Sequence, residues 1–167
     1  EKVFSDIDLT VYAKVNTAHT STESPIAFLS SIKKKNTTYT VAVAHGSVQI
    51  EGKSAKDDMP ITLEQIAHAN VDYIALGHWH GAQDFSSEKV TAWYAGSPEI
   101  TYQEGKGGLG QGYILQVDLA DTVRVEPILM TKKKVVEVEI DTHLQKTKED
   151  ITREIEKYAN PDVILIV

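Results

Sequence analysis

Two stretches decide the fold, and they read Thr40-Val41-Ala42-Val43-Ala44-His45-Gly46 and Val71-Asp72-Tyr73-Ile74-Ala75-Leu76-Gly77-His78-Trp79-His80. Each is a short apolar run that ends in a histidine beside a glycine. Short apolar runs of this kind predict buried strands. The glycine lets the backbone turn sharply where the chain leaves the sheet.

A helix is predicted between the two runs. Thr62 and Gln65 have the spacing of a capping box, and Ile61, Leu63, Ile66 and Ala67 supply an apolar stripe of helical period. Strand, helix and strand over this distance predict a βαβ unit, in which the two strands are parallel. Both runs then end at the same carboxyl edge of one sheet, where open α/β folds place their ligands.

The candidate metal ligands are His45, His78 and His80. Neutral imidazole is the commonest nitrogen ligand of transition metals in proteins. A His-x-His on a loop is often only two solvated histidines, but a second histidine at the end of a neighbouring strand favours a metal site. His19, His68 and His143 have no such context, and we assign them no role.

Composition narrows the class of protein. With 167 residues, 41% of them hydrophobic, the chain can bury one sizeable core and a small appendage. It has no cysteine, which excludes thiolate metal sites and disulfides. The net charge of −7 disfavours non-specific nucleic-acid binding, although bound divalent ions would reverse the charge locally. No apolar run is long enough to span a membrane, and we expect a cytoplasmic protein without membrane contact.

The rest of the chain predicts further strands and helices. Ser24 and Pro25 are a good start for a helix that buries Ile26, Leu29 and Ile32, and Thr147 caps a later helix that carries Ile151, Ile155 and Tyr158. Strands are predicted at 6–15, 89–94, 113–118, 123–128, 134–140 and 163–167. The glycine-rich residues 105–112 lack the Lys-Ser/Thr ending of a phosphate loop, so we interpret them as a hairpin connection. Because the chain starts at Glu1 and stops inside a predicted strand, we expect an excised fragment.

Three blocks together carry a family resemblance: Ala44-His45-Gly46, Asp72 to His80, and Tyr94-Ala95-Gly96-Ser97-Pro98-Glu99. They resemble the C-terminal half of the calcineurin-like metallophosphoesterases. The sequences of the second and third blocks are most similar to the DNA repair exonuclease branch, the SbcD-like nuclease subunits. The resemblance implies an α/β fold in which residues 1–130 are the C-terminal half of a four-layer αββα sandwich. Residues 131–167 would then be the truncated start of a capping module.

The resemblance also implies a two-metal site, usually occupied by Mn²⁺, that hydrolyses phosphodiester bonds at DNA ends beside an SbcC-like ATPase partner. His45 and His78 would ligate the second metal and His80 the first. The family pattern also contains Asp-x-His, Gly-Asp-x-x-Asp and Gly-Asn-His-Asp/Glu motifs, and none of these is present here. We therefore expect weak or absent metal binding and no activity from this fragment alone.

Several alternatives remain open. A small-molecule phosphodiesterase or phosphatase of the same superfamily, or a non-catalytic interaction or scaffold module, would also fit. Metallo-β-lactamase-type hydrolases need H-x-H-x-D-H, which residues 78–84 do not supply, and the predicted helix at 63–69 disagrees with an all-β cupin.

An incomplete sheet would expose apolar surface, so we expect a homo-oligomer, most simply a two-fold dimer.

Overall fold

The computed structural model describes residues 1–33, 36–52, 54, 58–100, 112–141, 143–144 and 147–167. The elements that build the main sheet and its surroundings are β1 (Lys2–Phe4), β2 (Leu9–Ala13), a 3₁₀ helix (Ala27–Ser30), β3 (Tyr39–His45), β4 (Ser47–Val48), β5 (Pro60–Ile61), α1 (Leu63–Ala67), β6 (Tyr73–Gly77), β7 (Gln83–Asp84) and β8 (Thr91–Tyr94).

Within the described residues, the main sheet has six strands in the order β1-β2-β3-β6-β8-β7. The central strands β2, β3, β6 and β8 are parallel, while β1 and β7 pair antiparallel at the two edges. The predicted α/β class and the parallel pairing of the two histidine-bearing strands are confirmed. Strands β4 and β5 pair in parallel beside the main sheet.

The predicted βαβ unit is present, with α1 as its helix. The Thr62 hydroxyl accepts a hydrogen bond from the Gln65 amide at 3.1 Å, and the Gln65 side chain accepts one from the Thr62 amide at 3.0 Å, so the capping box is confirmed. Ile66 is fully buried, but Leu63 is 57% exposed. The predicted apolar stripe is wrong at Leu63, because a helix as short as α1 presents only part of its surface to the sheet.

The core lies on one face of the main sheet. Side chains alternate between faces along each strand, and the buried positions on this face are Thr10, Tyr12, Thr40, Ala42, Ala44, Ile74, Leu76, Ala92 and Tyr94. Tyr73 of β6 is also buried, on the opposite face. Thr40 is satisfied although it is buried, because Asp72 Oδ2 accepts hydrogen bonds from its amide at 2.7 Å and from its hydroxyl at 2.6 Å. Ile26, Leu29 and Ile66 pack into the same cluster.

The helix predicted after Ser24 is shorter than expected. Only a 3₁₀ turn at Ala27–Ser30 forms, and its first residue follows Ile26 without a side-chain cap. The Ser24 hydroxyl instead donates to Gln65 in α1 at 2.8 Å, which ties the segment to the neighbouring helix. Ile26 and Leu29 are buried as predicted, and Ile32 is partly buried against the core.

The C-terminal elements are β9 (Tyr113–Asp118), β10 (Arg124–Leu129), β11 (Lys134–Glu137), α2 (Lys148–Glu156) and β12 (Val163–Ile166). Strands β9 and β10 pair antiparallel, and β11 and β12 pair in parallel around α2. The Thr147 cap is confirmed. The strand predicted to residue 140 already ends at Glu137.

Two predictions about chain organisation remain untested. The interpretation of the glycine-rich stretch as a hairpin connection falls at 105–111, outside the described residues. The domain division after residue 130 also stays a prediction.

Within the described ranges, no helix has the length and apolar character needed to cross a membrane.

Candidate functional site

The fold brings His45 and His78 together at the carboxyl edge of the main sheet. His45 is the last residue of β3, and its register partner in β6 is Gly77, directly before His78. The two imidazole rings meet edge to face with their centroids 5.3 Å apart. The Gly46 amide donates to the Gly77 carbonyl at 3.1 Å, which holds the two strand ends side by side.

The backbone around this pair has special geometry. A Cβ atom at Gly77 would lie 3.4 Å from His45 Nδ1, so glycine leaves room for the imidazole. His78 has a φ of 135°, a value that non-glycine residues rarely adopt and that costs about 1–3 kcal/mol. Strain of this kind concentrates at functional sites, where the surrounding structure maintains it.

Asp58 joins the histidine pair, although the sequence analysis did not identify it. Its Oδ2 lies 2.8 Å from His78 Nε2. Because a carboxylate only accepts hydrogen bonds, His78 Nε2 is the donor, and in a neutral imidazole Nδ1 would then keep its lone pair. The Ser47 amide donates to the Asp58 carbonyl at 3.2 Å and positions the residue. Its only sequence signal is an acidic pair, Asp57-Asp58, just before β5.

His80 lies on a turn that the motif at residues 94–99 stabilises. The Ser97 amide donates to the His80 carbonyl at 2.9 Å. Gly96 has a φ of +76°, and a Cβ there would lie 2.5 Å from the His80 carbonyl oxygen, so only glycine fits against this turn. His80 Nδ1 is buried and has no hydrogen-bond partner among the described residues.

The described residues contain no group of three or more His, Asp or Glu side chains arranged to hold a metal ion. His45 and His78 are brought together, and Asp58 is added to them, but His80 is not joined to this group. The predicted roles of the three histidines as metal ligands therefore stay predictions.

An aromatic cluster fixes both histidine-bearing loops, and sequence reasoning missed this role. The buried Tyr94 hydroxyl donates to the Gly46 carbonyl at 2.6 Å and accepts from the Val48 amide at 3.0 Å. Trp79, between the two histidines of the second loop, stacks on Tyr94, and its Nε1 donates to Ser47 Oγ at 3.1 Å. Burial raises the pKa of Tyr94 far above its usual value, and the negative charge of Asp58 adds to this, so the phenol stays a neutral donor.

A groove of about 630 Å³ opens beside His45. It is bounded by residues 13–16 at and after the end of β2, by residues 43–45 of β3 and by residues 75–77 of β6. Asn16 donates from Nδ2 to the His45 carbonyl at 2.8 Å. His19, which received no role from the sequence, also lines this groove.

The remaining histidines lie away from the pair. His68 ends α1, where its Nδ1 lies 2.9 Å from the Glu64 carbonyl. His143 is exposed in the C-terminal part, and its backbone amide donates to Asp141. Neither contacts His45 or His78 through these bonds.

Comparison with known proteins finds neither a family model nor a curated protein that matches the chain. The family resemblance thus depends on the three sequence blocks alone.

Proposed function

We propose that this chain carries the histidine half of a metal-dependent phosphodiesterase site, in a protein that cleaves phosphodiester bonds of DNA. The observation that supports this most is the contact of the His45 and His78 rings at 5.3 Å at the carboxyl edge of a parallel sheet. Open α/β sheets bind their ligands at this edge. The order of the three motif blocks supports a metallophosphoesterase over other metal enzymes.

The donor atoms suit a divalent transition metal. A histidine that ligates a metal usually donates its other ring N–H to a carboxylate, and Asp58 accepts such a bond from His78. Nδ1 of His80, which has no hydrogen-bond partner among the described residues, is a further nitrogen donor. When bound, divalent ions lower the pKa of a coordinated water and offset the charge of a phosphodiester.

The chain's own residues have separate tasks in this proposal. His45 and His78 hold the ion, and Asp58 sets the tautomer and orientation of His78. Tyr94 and Trp79 keep the two loops in place. Carboxylate ligands that would complete the charge balance are not assembled by the described residues, so this chain alone is expected to bind metal weakly and to be inactive.

A small-molecule phosphodiesterase is the second candidate. The groove beside His45, at about 630 Å³, falls within the range of roughly 300–1,000 Å³ that is typical of small-ligand pockets. We prefer DNA as the substrate because the sequences of residues 72–80 and 94–99 are most similar to those of the nuclease branch. A local cation site would also let this acidic chain approach phosphate.

Metal binding by variants of this chain tests the proposal. Titration calorimetry with Mn²⁺ and Zn²⁺ should show weak binding that His45→Gln and His78→Gln each reduce at least tenfold. Asp58→Asn should reduce it about 10–100-fold, as expected for a carboxylate that orients a ligand. His143→Gln is the matched control, because His143 is exposed and remote from the pair, and it should bind as the unmodified chain does.

Hydrolysis is measured in the same samples with bis(p-nitrophenyl) phosphate and with a DNA oligonucleotide. We expect no turnover of either substrate. Equal metal binding by His45→Gln, His78→Gln and His143→Gln would refute the histidine site. Metal-dependent turnover would show that the chain contains a complete site rather than half of one, and cleavage of the small ester without DNA cleavage would favour the second candidate.

A further inference from the structure

We infer that Asn16 is a positioning residue of the candidate site, which fixes the place of His45 relative to Asp58. Its side-chain amide donates from Nδ2 to the His45 carbonyl at 2.8 Å and contacts Met59 Sδ at 2.6 Å. Met59 directly follows Asp58 in the chain. A single side chain after β2 therefore contacts both the end of β3 and the residue next to the carboxylate that binds His78.

The chemistry of these two neighbours calls for a donor at this position. A backbone carbonyl and a thioether sulfur both accept hydrogen bonds, and neither donates one. The two N–H bonds of Asn16 Nδ2 match them, which also decides the orientation of the amide group. An aspartate has the same shape but would present only oxygen atoms to two acceptors, so it would lose both contacts.

The peptide unit between His45 and Gly46 is held from both sides. Its carbonyl accepts from Asn16, while its N–H donates to the Gly77 carbonyl at 3.1 Å. Because a peptide unit is planar, these two bonds together fix its rotation about the chain direction. The Cα atom of His45 belongs to this unit, so the direction of the imidazole towards His78 depends on the bond from Asn16.

Met59 carries the second contact to the carboxylate. Its φ of 51° is a value that non-glycine residues rarely adopt, and surrounding contacts must maintain it. Its amide donates to the Ser21 carbonyl at 2.9 Å, and its carbonyl accepts from the Ser47 amide at 3.1 Å. A shift of Met59 would move Asp58, whose carboxylate lies 2.8 Å from His78 Nε2.

The segment that carries Asn16 has further contacts that keep it in place. Ser21 and Asp58 form an isolated parallel β-bridge, and Lys14 pairs with Glu23 at 3.3 Å. Asn16 itself is partly exposed. Loss of its amide should therefore alter the geometry of the site while the fold persists, which distinguishes positioning from a general structural role.

NMR spectroscopy of the whole chain tests the inference without any metal. In the unmodified chain, the side-chain amide protons of Asn16 should show a contact with the Met59 methyl group. In Asn16→Asp, the proton contacts between the His45 and His78 rings should be lost. The matched control is Asn70→Asp: Asn70 Nδ2 also donates to a backbone carbonyl, that of Ser30 at 2.9 Å, but it precedes β6 at the opposite edge of the sheet. This variant should keep the ring contacts.

Metal binding is a second readout, and this part rests on the proposed function. Asn16→Ala is used here, because it removes the amide without adding a charge that would itself attract a cation. We expect it to reduce Mn²⁺ affinity about tenfold, as for other groups that orient a ligand from behind, while Asn70→Ala should bind as the unmodified chain does.

The two readouts separate the two proposals. An unmodified chain that binds no Mn²⁺ would contradict the proposed function, and the ring contacts would still decide the role of Asn16. Three results would overturn that role: no contact between the Asn16 amide and the Met59 methyl group, ring contacts in Asn16→Asp as strong as in the unmodified chain, or an equal loss in Asn70→Asp.

Discussion

Tyr94→Phe removes a single hydroxyl group from behind the candidate site. That hydroxyl donates to the Gly46 carbonyl at 2.6 Å and accepts from the Val48 amide at 3.0 Å. Tyr94 is 0% exposed, so water does not replace either bond without rearrangement. The phenyl ring remains and keeps its packing against Trp79 and Phe85.

The expected loss of stability comes from the two backbone groups, the Gly46 carbonyl and the Val48 amide, that lose their hydrogen-bond partner. A buried donor or acceptor left without a hydrogen bond costs about 1–3 kcal/mol. Partial relaxation of the loop after His45 reduces the sum, and we expect Tyr94→Phe to lower the free energy of unfolding by roughly 2–3 kcal/mol. This is a large part of the total stability of a domain, which is about 5–15 kcal/mol.

Urea denaturation followed by circular dichroism measures this change. With a typical slope of about 1–3 kcal/mol per molar urea, the midpoint should fall by close to 1 M or more. Because Tyr94 holds Gly46 and Val48, the loop beside His45 should also loosen. The proton contacts between the His45 and His78 rings in NMR spectra should then weaken even under conditions where the variant is folded.

Tyr12→Phe is the matched control. Tyr12 is 3% exposed, and its hydroxyl is buried without a hydrogen-bond partner among the described residues. Its removal should be neutral or slightly stabilising, since an unsatisfied polar group is lost. The reasoning is refuted if Tyr94→Phe costs less than about 0.5 kcal/mol, or if it costs no more than Tyr12→Phe.

Three further predictions concern a cap, a glycine and a buried phenol. Thr62→Ala should cost about 1 kcal/mol in urea denaturation by removing the capping box, whereas Thr62→Ser should restore most of it; equal losses would contradict a capping role. Gly96→Ala should cost more than about 2 kcal/mol, because Gly96 has a φ of +76° and its new Cβ would lie 2.5 Å from the His80 carbonyl oxygen. The control Gly81→Ala meets nothing within 4 Å, and a similar loss there would refute the explanation. Burial raises the pKa of Tyr73 from 10.0 to about 12, so the folded state holds this proton more tightly. Tyr73 should leave stability unaffected well below pH 10. Between pH 10 and 12 it should lower stability by about 1.4 kcal/mol per pH unit, in addition to the loss from Tyr94, whose pKa is also raised. An unchanged slope in Tyr73→Phe would contradict this assignment.

Much of the fold could be predicted because its signals are local. The capping residues Thr62 and Gln65 satisfy amides within a single turn, and their spacing alone indicates where α1 begins. Apolar runs with a helix between them imply parallel strands, so the approach of His45 and His78 follows from chain topology. Leu63 and the segment after Ser24 could not be predicted in the same way, because contacts with distant residues decide what they bury.

In the candidate site too, contacts between residues distant in sequence could not be predicted. Asp58 meets His78 only because β4 and β5 pair and carry its carboxylate to the sheet edge. Tyr94 reaches Gly46 and Val48 across 48 and 46 residues of sequence, a contact without any local pattern.

By itself, the sequence determined the elements with local signals and the edge of the sheet at which two histidines emerge, since side-chain periodicity and hydrogen bonding within a turn are properties of neighbouring residues. Only the tertiary structure decided which carboxylate binds His78 and which phenol supports His45. Those contacts depend on how strands pair and pack in space, and no short stretch of sequence contains that information.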